Sequence, residues 1–592
     1  MGVFLTLSSP PFNLNPISIG RLIWPDLLPF RSFLLFSATM SSSSSGLFNK
    51  IKPLCTSLFK STEPATVLSA LHQTLASAPA NAFTPTLIEY TFFPISHLLR
   101  KPSLSNPLLE QVFLCLGVLC THWDLSQSSG IWTQLVILCN LAQGRDEETR
   151  VAACLTLRAL FRPDLEHTQE PRHLPIIGKT LDSVLEYTLS PNHTLQTTAL
   201  QVILRIVEVF PSDHVPAVLP GVVSKTVRVA MGDKTTSQAV RLALNTLAKV
   251  LERGIGDEVC IQSGAIRDYT SLDDLVAPVT DDTPSESGPP HRTPTWLSAT
   301  SPQVHVSLLS LSPLSSNPNP LTRLALVELC TALAHTCART LEPSQSLLVA
   351  HLLVLAYPAL DNGRSVPEDA HAALQGLKAV DVGVVTGIVS RALSLLPHRL
   401  SHAHQATATS LAKQLVSACH VLPSSTVGAI LGPGGGIEKW GRTLLSVIRF
   451  DSTEHRIVPL LQQITDSTVV EEDEVQFTLE GLDTQTTAHI ASLFRALGKR
   501  AGDQGVFAIE WFVSAGIGGS VPGLWCALWL LRGLVDQTPS ARILKASKWI
   551  AKTVAEMWDD QFLPPPPPVV QEEEKLEVVE QRQGSIQTWR FV

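Results

Sequence analysis

Residues 195–210 read LQTTALQVILRIVEVF. Leu195, Ala199, Val202, Ile206 and Val209 recur at steps of four, three, four and three, while Gln201, Arg205 and Glu208 fall on another face. That is the period of a helix, since a half-buried strand would alternate every second residue. Residues 236–254 repeat the design. Val240, Leu244, Leu247 and Leu251 form the apolar stripe, Arg241, Asn245, Lys249 and Glu252 the polar face, and Gly254 is expected to stop the helix. Working outward, the same period predicts helices near 46–60, 66–78, 85–100, 107–122, 129–142, 146–162 and 174–190, and then near 214–231, 293–311, 321–341, 344–358, 367–380, 383–396 and 401–421. A last group falls near 438–449, 455–466, 485–500, 505–515, 521–536 and 539–558. No Asn-Gly hairpin or sustained strand alternation interrupts them.

Two of these segments, 107–122 and 521–536, are apolar nearly all round, so they need covering on more than one side. Stacked helix pairs provide this, because each pair buries one face on the pair before it and another on the pair after. At roughly 43 residues per pair, residues 44–560 hold about twelve repeats. No tight sequence repeat is visible, and tetratricopeptide or ankyrin signatures are missing. The fold class is therefore all-α, an α-solenoid of degenerate HEAT/armadillo-type repeats, with an irregular helical bundle as the alternative. The organisation expected is a disordered extension at 1–43, repeats at 44–262, an acidic disordered loop at 263–291, further repeats at 292–560, and a Pro-rich charged tail at 561–592.

Three segments break the pattern. Residues 1–39 hold five prolines with one acid, Asp26, and two arginines, Arg21 and Arg31; the serine run after Met40 looks like an ordinary flexible start. Residues 268–291 carry Asp268, Asp273, Asp274, Asp281, Asp282 and Glu286 with no Lys or Arg, among Pro, Ser and Gly, which is a disorder composition. Pro564–Pro568 favour polyproline II, and a charged stretch follows.

Composition narrows the function. Charged residues make up 16 %, the apolar set 44 %, and the net charge is −8. A mildly acidic chain lacks the cationic footprint of a dedicated nucleic-acid binder, and no run of eighteen or so apolar residues suggests a membrane span. The ten cysteines include no C-x-x-C pair and sit mostly in apolar runs, so they read as buried thiols, not zinc ligands or disulfides. The Asn192 sequon stands without secretory context. Gly432, Gly434, Gly435 and Gly436 lack the Lys-Ser/Thr of a phosphate loop, and GGSVPG at 518–523 has Pro522 where a nucleophile elbow needs glycine. His398, His402 and His404 cluster without a carboxylate or thiol to complete a metal site. Lys225, Arg228, Lys234 and Arg241 could form a small basic ridge for an acidic partner. No catalytic residue, cofactor site or metal site is assigned, and enzymatic activity is not expected.

Three segments, in order, resemble the Tel-two-interacting protein one family, the HEAT-repeat subunit of the Triple T (TTT) complex. They are LFNKIKPLCTSL at 47–58; LIEYTFFPISHLLRK at 87–101, with Tyr90, Phe93 and Pro94; and RTPTWLSATSPQVHVSLLSL at 292–311, with Arg292, Thr293, Pro294, Trp296 and Leu297. RLALVELC at 323–330 follows in the family order. The resemblance covers 44–340 well and 341–536 more loosely. Family members are longer, so the chain reads as an N-terminal portion, with the tail of a truncated gene model. The resemblance implies a scaffold and co-chaperone, partnered by the other two TTT subunits, the phosphatidylinositol-3-kinase-related kinases (target of rapamycin and the DNA-damage kinases) and the ninety-kDa heat-shock chaperone machinery. It implies no nucleic acid, no membrane, and a cytoplasmic protein with access to the nucleus. A HEAT-repeat nuclear transport receptor or adaptor is the alternative. Pro294 suits a first helical turn, and Trp296, Leu297, Val304, Leu308 and Leu311 can form an inward stripe, so the third motif serves either packing or a partner contact.

Overall fold

The computed structural model describes residues 42–100, 104–266, 292–357, 366–378, 382–401, 405–435, 437–449, 479–480, 482–535 and 540–562. The expectations for 1–41, the acidic segment, His402 and His404, the helix near 455–466 and the tail after 562 fall outside these residues. Among the described residues all extended regular elements are helices, and the chain divides into two compact units, up to Leu314 and from Ser315.

The first unit is a two-layer stack. One layer holds α1 (Ser42–Leu58), α3 (Pro85–Leu99), α5 (Ser129–Asn140), α7 (Leu174–Tyr187) and α9 (Val215–Ala230). The other holds α2 (Pro64–Ala76), α4 (Asn106–His122), α6 (Glu147–Leu160), α8 (His193–Val209) and α10 (Ser237–Ile255). Each helix pairs with its sequence neighbour, and α2, α4, α6, α8 and α10 pack successively on one another. A short α11 (Asp257–Gln262) follows, and α12 (Pro294–Leu309) then packs on α9. Helix α1 begins inside the serine run, so the expected flexible start at 1–43 yields to helix at its last two positions.

The stripes behave as their period requires. Leu195, Ala199, Val202, Ile206 and Val209 are all buried, as are Val240, Leu244, Leu247 and Leu251. Side-chain caps start the helices: Thr84, Asp146, Asn192, Thr236 and Thr293 each accept a backbone N–H of the first turn. Asn192 also donates from Nδ2 to Glu147 Oε2 at 2.9 Å, so the sequon amide is a structural pin.

Buried polar links tie each repeat to the next. Thr156 donates to the Phe113 carbonyl at 2.7 Å, 43 positions away, and Asn140 Nδ2 donates to Thr180 Oγ1 at 3.0 Å, 40 positions away. Cys115 approaches the Leu68 carbonyl 47 positions away. These separations match two-helix repeats of HEAT length and exceed the roughly 34 residues of a tetratricopeptide. Trp132 is fully buried, donates to the Leu160 carbonyl at 3.0 Å and meets Phe161 edge-on at 5.7 Å.

Two sequence expectations change. Gly254 does not end its helix, which runs to Ile255 with Gly256 as the cap. It is a close-packing position: a Cβ there would lie 2.6 Å from Leu219 Cδ1. The Pro/Gly interruption at 428–438 begins as helix, because Val427, Ile430 and Leu431 have core to enter.

The second unit contains α13 (Pro320–Thr336), α14 (Glu342–Leu355), α15 (Val366–Lys378), α16 (Val382–Ser401), α17 (Gln405–Val421), α18 (Ser424–Leu431) and α19 (Ile437–Val447). It continues with α20 (Thr484–Ala501), α21 (Val506–Ile517), α22 (Val521–Val535) and α23 (Ala541–Phe562). Helices α17, α20 and α22 pack in succession. At the α20–α22 crossing a Cβ on Gly498 would overlap the Leu530 carbonyl oxygen, and one on Gly533 the Arg495 carbonyl oxygen. Glycine at both positions lets the two backbones touch.

All ten cysteines are buried without disulfides, and burial pushes the thiols of Cys120, Cys154, Cys330 and Cys419 up to about 12. No described helix is long and apolar enough to cross a membrane. No group of three or more His, Cys, Asp or Glu among the described residues could hold a metal ion.

Candidate functional site

The two motif regions present two different surfaces. On the first hairpins, α1 and α3 place Phe48 5.2 Å from Tyr90, and Phe59, just past α1, 6.0 Å from Phe93 and 5.4 Å from His97. Phe59 and Phe93 are exposed, Tyr90 is half-buried, and Lys52 sits 5.9 Å over the Phe48 ring. Burial, then the nearby Cys55, raises the Tyr90 pKa, and a hydrogen bond to Thr56 opposes the shift. Pro94 is buried inside α3, where it removes the N–H that would bond the Tyr90 carbonyl. The motif thus splits, with Pro94 inside and Phe93 on a solvent-facing aromatic cluster. Neighbouring exposed aromatics of this kind can anchor a partner, because rings bring large apolar area at small entropic cost.

The second motif is an interior corner. Arg292 is 6 % exposed and precedes α12. Its Nε donates to the Gly254 carbonyl at 2.9 Å, and one terminal nitrogen donates to the Arg253 carbonyl at 2.9 Å and to the Ser212 carbonyl at 2.5 Å. The Asp213 carboxylate lies 3.8 Å from the other nitrogen, but its side chain is 84 % exposed, so that pair adds little. A cation at the end of α10 also complements the helix dipole. Thr293 caps α12 by accepting the Trp296 N–H at 3.1 Å, Pro294 sits in the first turn, Trp296 is half-buried and Leu297 is buried. Of the expected inward stripe, Val304, Leu308 and Leu311 are buried.

Arg292 belongs to a series that the sequence reading missed. Arg253, on α10, donates to the Val207 carbonyl and, at 2.7 Å, to the Phe210 carbonyl at the end of α8. Arg162, after α6, donates to the Thr121 and Trp123 carbonyls at the end of α4, at 3.0 and 2.9 Å. In the second unit Arg500 donates to the Leu422 carbonyl after α17 at 2.8 Å. Desolvation lowers the pKa of both Arg253 and Arg292, yet guanidinium remains charged at neutral pH. The basic ridge, by contrast, is partly cancelled, since Lys225 pairs with Glu186 at 2.8 Å.

The sequence matches the family model described as the TTI1 N-terminal TPR domain over residues 48–357, more than half of the chain. The chain belongs to the TTI1 family. Both motif regions of this TTI1-family chain lie inside the match. TEL2-interacting protein 1 of Saccharomyces cerevisiae (strain ATCC 204508 / S288c) is 25 % identical over 333 residues, covering 49 % of this chain and 32 % of the relative. The chain therefore spans about a third of that relative's length. Among solved structures, karyopherin Kap121p bound to the extreme C-terminus of the phosphatase Cdc14p is similar at 12 % identity and a TM-score of 0.34, over 89 % of this chain and 50 % of that one. An engineered protein is similar at 16 % identity and a TM-score of 0.33, over 85 % and 98 %.

Proposed function

We propose that this chain is a non-catalytic scaffold of the TTT type, supporting the maturation and stability of phosphatidylinositol-3-kinase-related kinases together with the other two TTT subunits and the ninety-kDa heat-shock chaperone machinery. The observation that carries this reading is the TTI1-family match over 48–357, with all eight motif residues inside it. A stack of repeats suits the role, because it offers long side-chain surfaces without requiring a deep pocket.

Within this reading the motifs divide the labour. Arg292, Thr293, Pro294, Trp296 and Leu297 hold α12 on the preceding repeat, so they act through packing. Tyr90 and Phe93 face a partner, with Pro94 fixing their helix.

Depletion of the endogenous protein tests the reading. Several of the kinases should fall together in abundance with unchanged transcripts, as unassembled clients are degraded. A transport receptor would instead mislocalise cargo and leave kinase levels intact; unchanged kinase protein would refute the scaffold assignment.

A further inference from the structure

Helices α2, α4, α6 and α8 line a groove of about 580 Å³ on the outward side of their layer in the first unit. Its floor is apolar and only half-covered, formed by Leu114, Val118 and Leu155. Three guanidiniums stand around it, those of Arg158, Arg162 and Arg205.

Their charges are not equally balanced. Arg162 directs its terminal nitrogens to the carbonyls that end α4, and its Nε lies 3.4 Å from Asp164. Arg205 pairs with Glu208 at 2.9 Å. Arg158 is exposed and donates to the amide oxygen of Gln201 at 2.6 Å, a neutral acceptor. Two carboxylates therefore answer three guanidiniums, and the surplus positive charge sits on Arg158. His72 also lines the groove, but burial lowers its pKa, so the imidazole adds no charge at neutral pH.

We infer that this groove docks an acidic amphipathic segment of a partner protein, with aliphatic side chains entering between α4 and α6 and carboxylates reaching Arg158 and Arg205. Charge complementarity selects the acidic partner, and the apolar floor selects a polypeptide. A polynucleotide would leave Leu114, Val118 and Leu155 unfilled and needs a broader cationic track than three partly paired arginines. Arg158 and Arg205 stand on neighbouring helices, so they bracket a segment lying across the layer. Carboxylate–arginine pairing at such a rim steers association and fixes register. The inference does not depend on which complex the chain joins.

The test pans the full chain against a random peptide library and sequences what is enriched. The expected peptides combine Leu, Ile or Val with Asp or Glu at helical spacing. Their affinity should fall at least about tenfold for the Arg158→Glu, Arg205→Glu double variant. It should return when the peptide acids are changed to Lys. Arg158→Gln, with circular dichroism and melting as for the parent chain, serves if the double variant misfolds, and should weaken binding several-fold. The inference is overturned if nothing is enriched, if the enriched peptides lack acids, if charge reversal leaves their affinity unchanged, or if a single-stranded RNA oligonucleotide binds instead with the same sensitivity to reversal.

Discussion

Replacing Arg292 by Ala should open the end of α10 and the docking of α12 while leaving the second unit untouched. The side chain is 6 % exposed and donates to three backbone carbonyls, those of Ser212, Arg253 and Gly254, of which Ser212 also accepts the Val215 N–H. Each carbonyl that loses a charged donor costs about 1–3 kcal/mol, at the low end where water can enter. The exposed Asp213 next to the site shows that water is close, so about 1 kcal/mol per carbonyl, or about 3 kcal/mol in all, is the working figure. At about 1.4 kcal/mol per decade, the local opening constant should rise on the order of a hundredfold. A single unfolding free energy is the wrong observable for a chain of two units. Native-state hydrogen exchange resolves the local event: amides of 207–214, 250–260 and 294–309 should lose protection, while those of α20 and α22 keep theirs. Arg292→Lys keeps the charge but not the fork, and should fall between the parent and Ala. Asp213→Asn should change almost nothing. A change of less than about threefold at the end of α10 in the Ala variant would show that the carbonyls are satisfied without Arg292, and would refute the corner as a clamp.

Three further outcomes follow from the packing. Gly498→Ala or Gly533→Ala should push α20 and α22 apart and destabilise the second unit by about 1–3 kcal/mol or more, read as lost exchange protection in both helices; parent-like protection would mean that the crossing is looser than described. Trp132→Phe removes the donor to the Leu160 carbonyl, and native-state hydrogen exchange of α5 and α6 should show protection reduced by about 1–2 kcal/mol, with Trp132→Ala costing more. His351 is buried, and desolvation lowers its pKa from 6.5 to about 4. Its neutral form is the one that folds, so its contribution is complete above about pH 6.5 and is lost as pH falls from there towards 4, by up to about 3 kcal/mol. Exchange protection of α13 and α14, corrected for the intrinsic rate at each pH, should lose this slope in His351→Gln; an identical slope would assign the acid sensitivity elsewhere.

The helices were legible because period is a local property. Once Leu195–Val209 is read at steps of three and four, the same test finds each long element. It failed at Ser424–Leu431, where two turns beside Gly432 and Pro433 give too few positions to establish a period. Gly254 shows a different limit. A glycine closing an apolar stripe is either a stop or a contact point, and what decides is Leu219 on another helix. The arginine series was illegible for the same kind of reason. Arg253 and Arg162 act on carbonyls about one repeat earlier, and a backbone carbonyl leaves no mark in the sequence. The aromatic cluster was half legible: Tyr90 and Phe93 stood out in their motif, but Phe48 and Phe59 complete it only because α1 packs beside α3.

The polar links explain how so degenerate a repeat keeps its register. Apolar stripes of Leu, Val and Ala specify which face is buried, but they discriminate weakly against a neighbour displaced by a turn. Polar partners discriminate more strongly, because a displaced Arg253 would leave its half-buried guanidinium and the Val207 and Phe210 carbonyls at the end of α8 without each other. The Arg292 corner applies the same device across an interruption. Arg292, the first described residue after Ile266, donates from its guanidinium to the Arg253 and Gly254 carbonyls at the end of α10. The start of α12 is thereby held to the end of α10 while α12 docks on α9. The corner therefore fixes α12 through carbonyls 38 and 39 positions away, so its register does not rest on the apolar stripe alone.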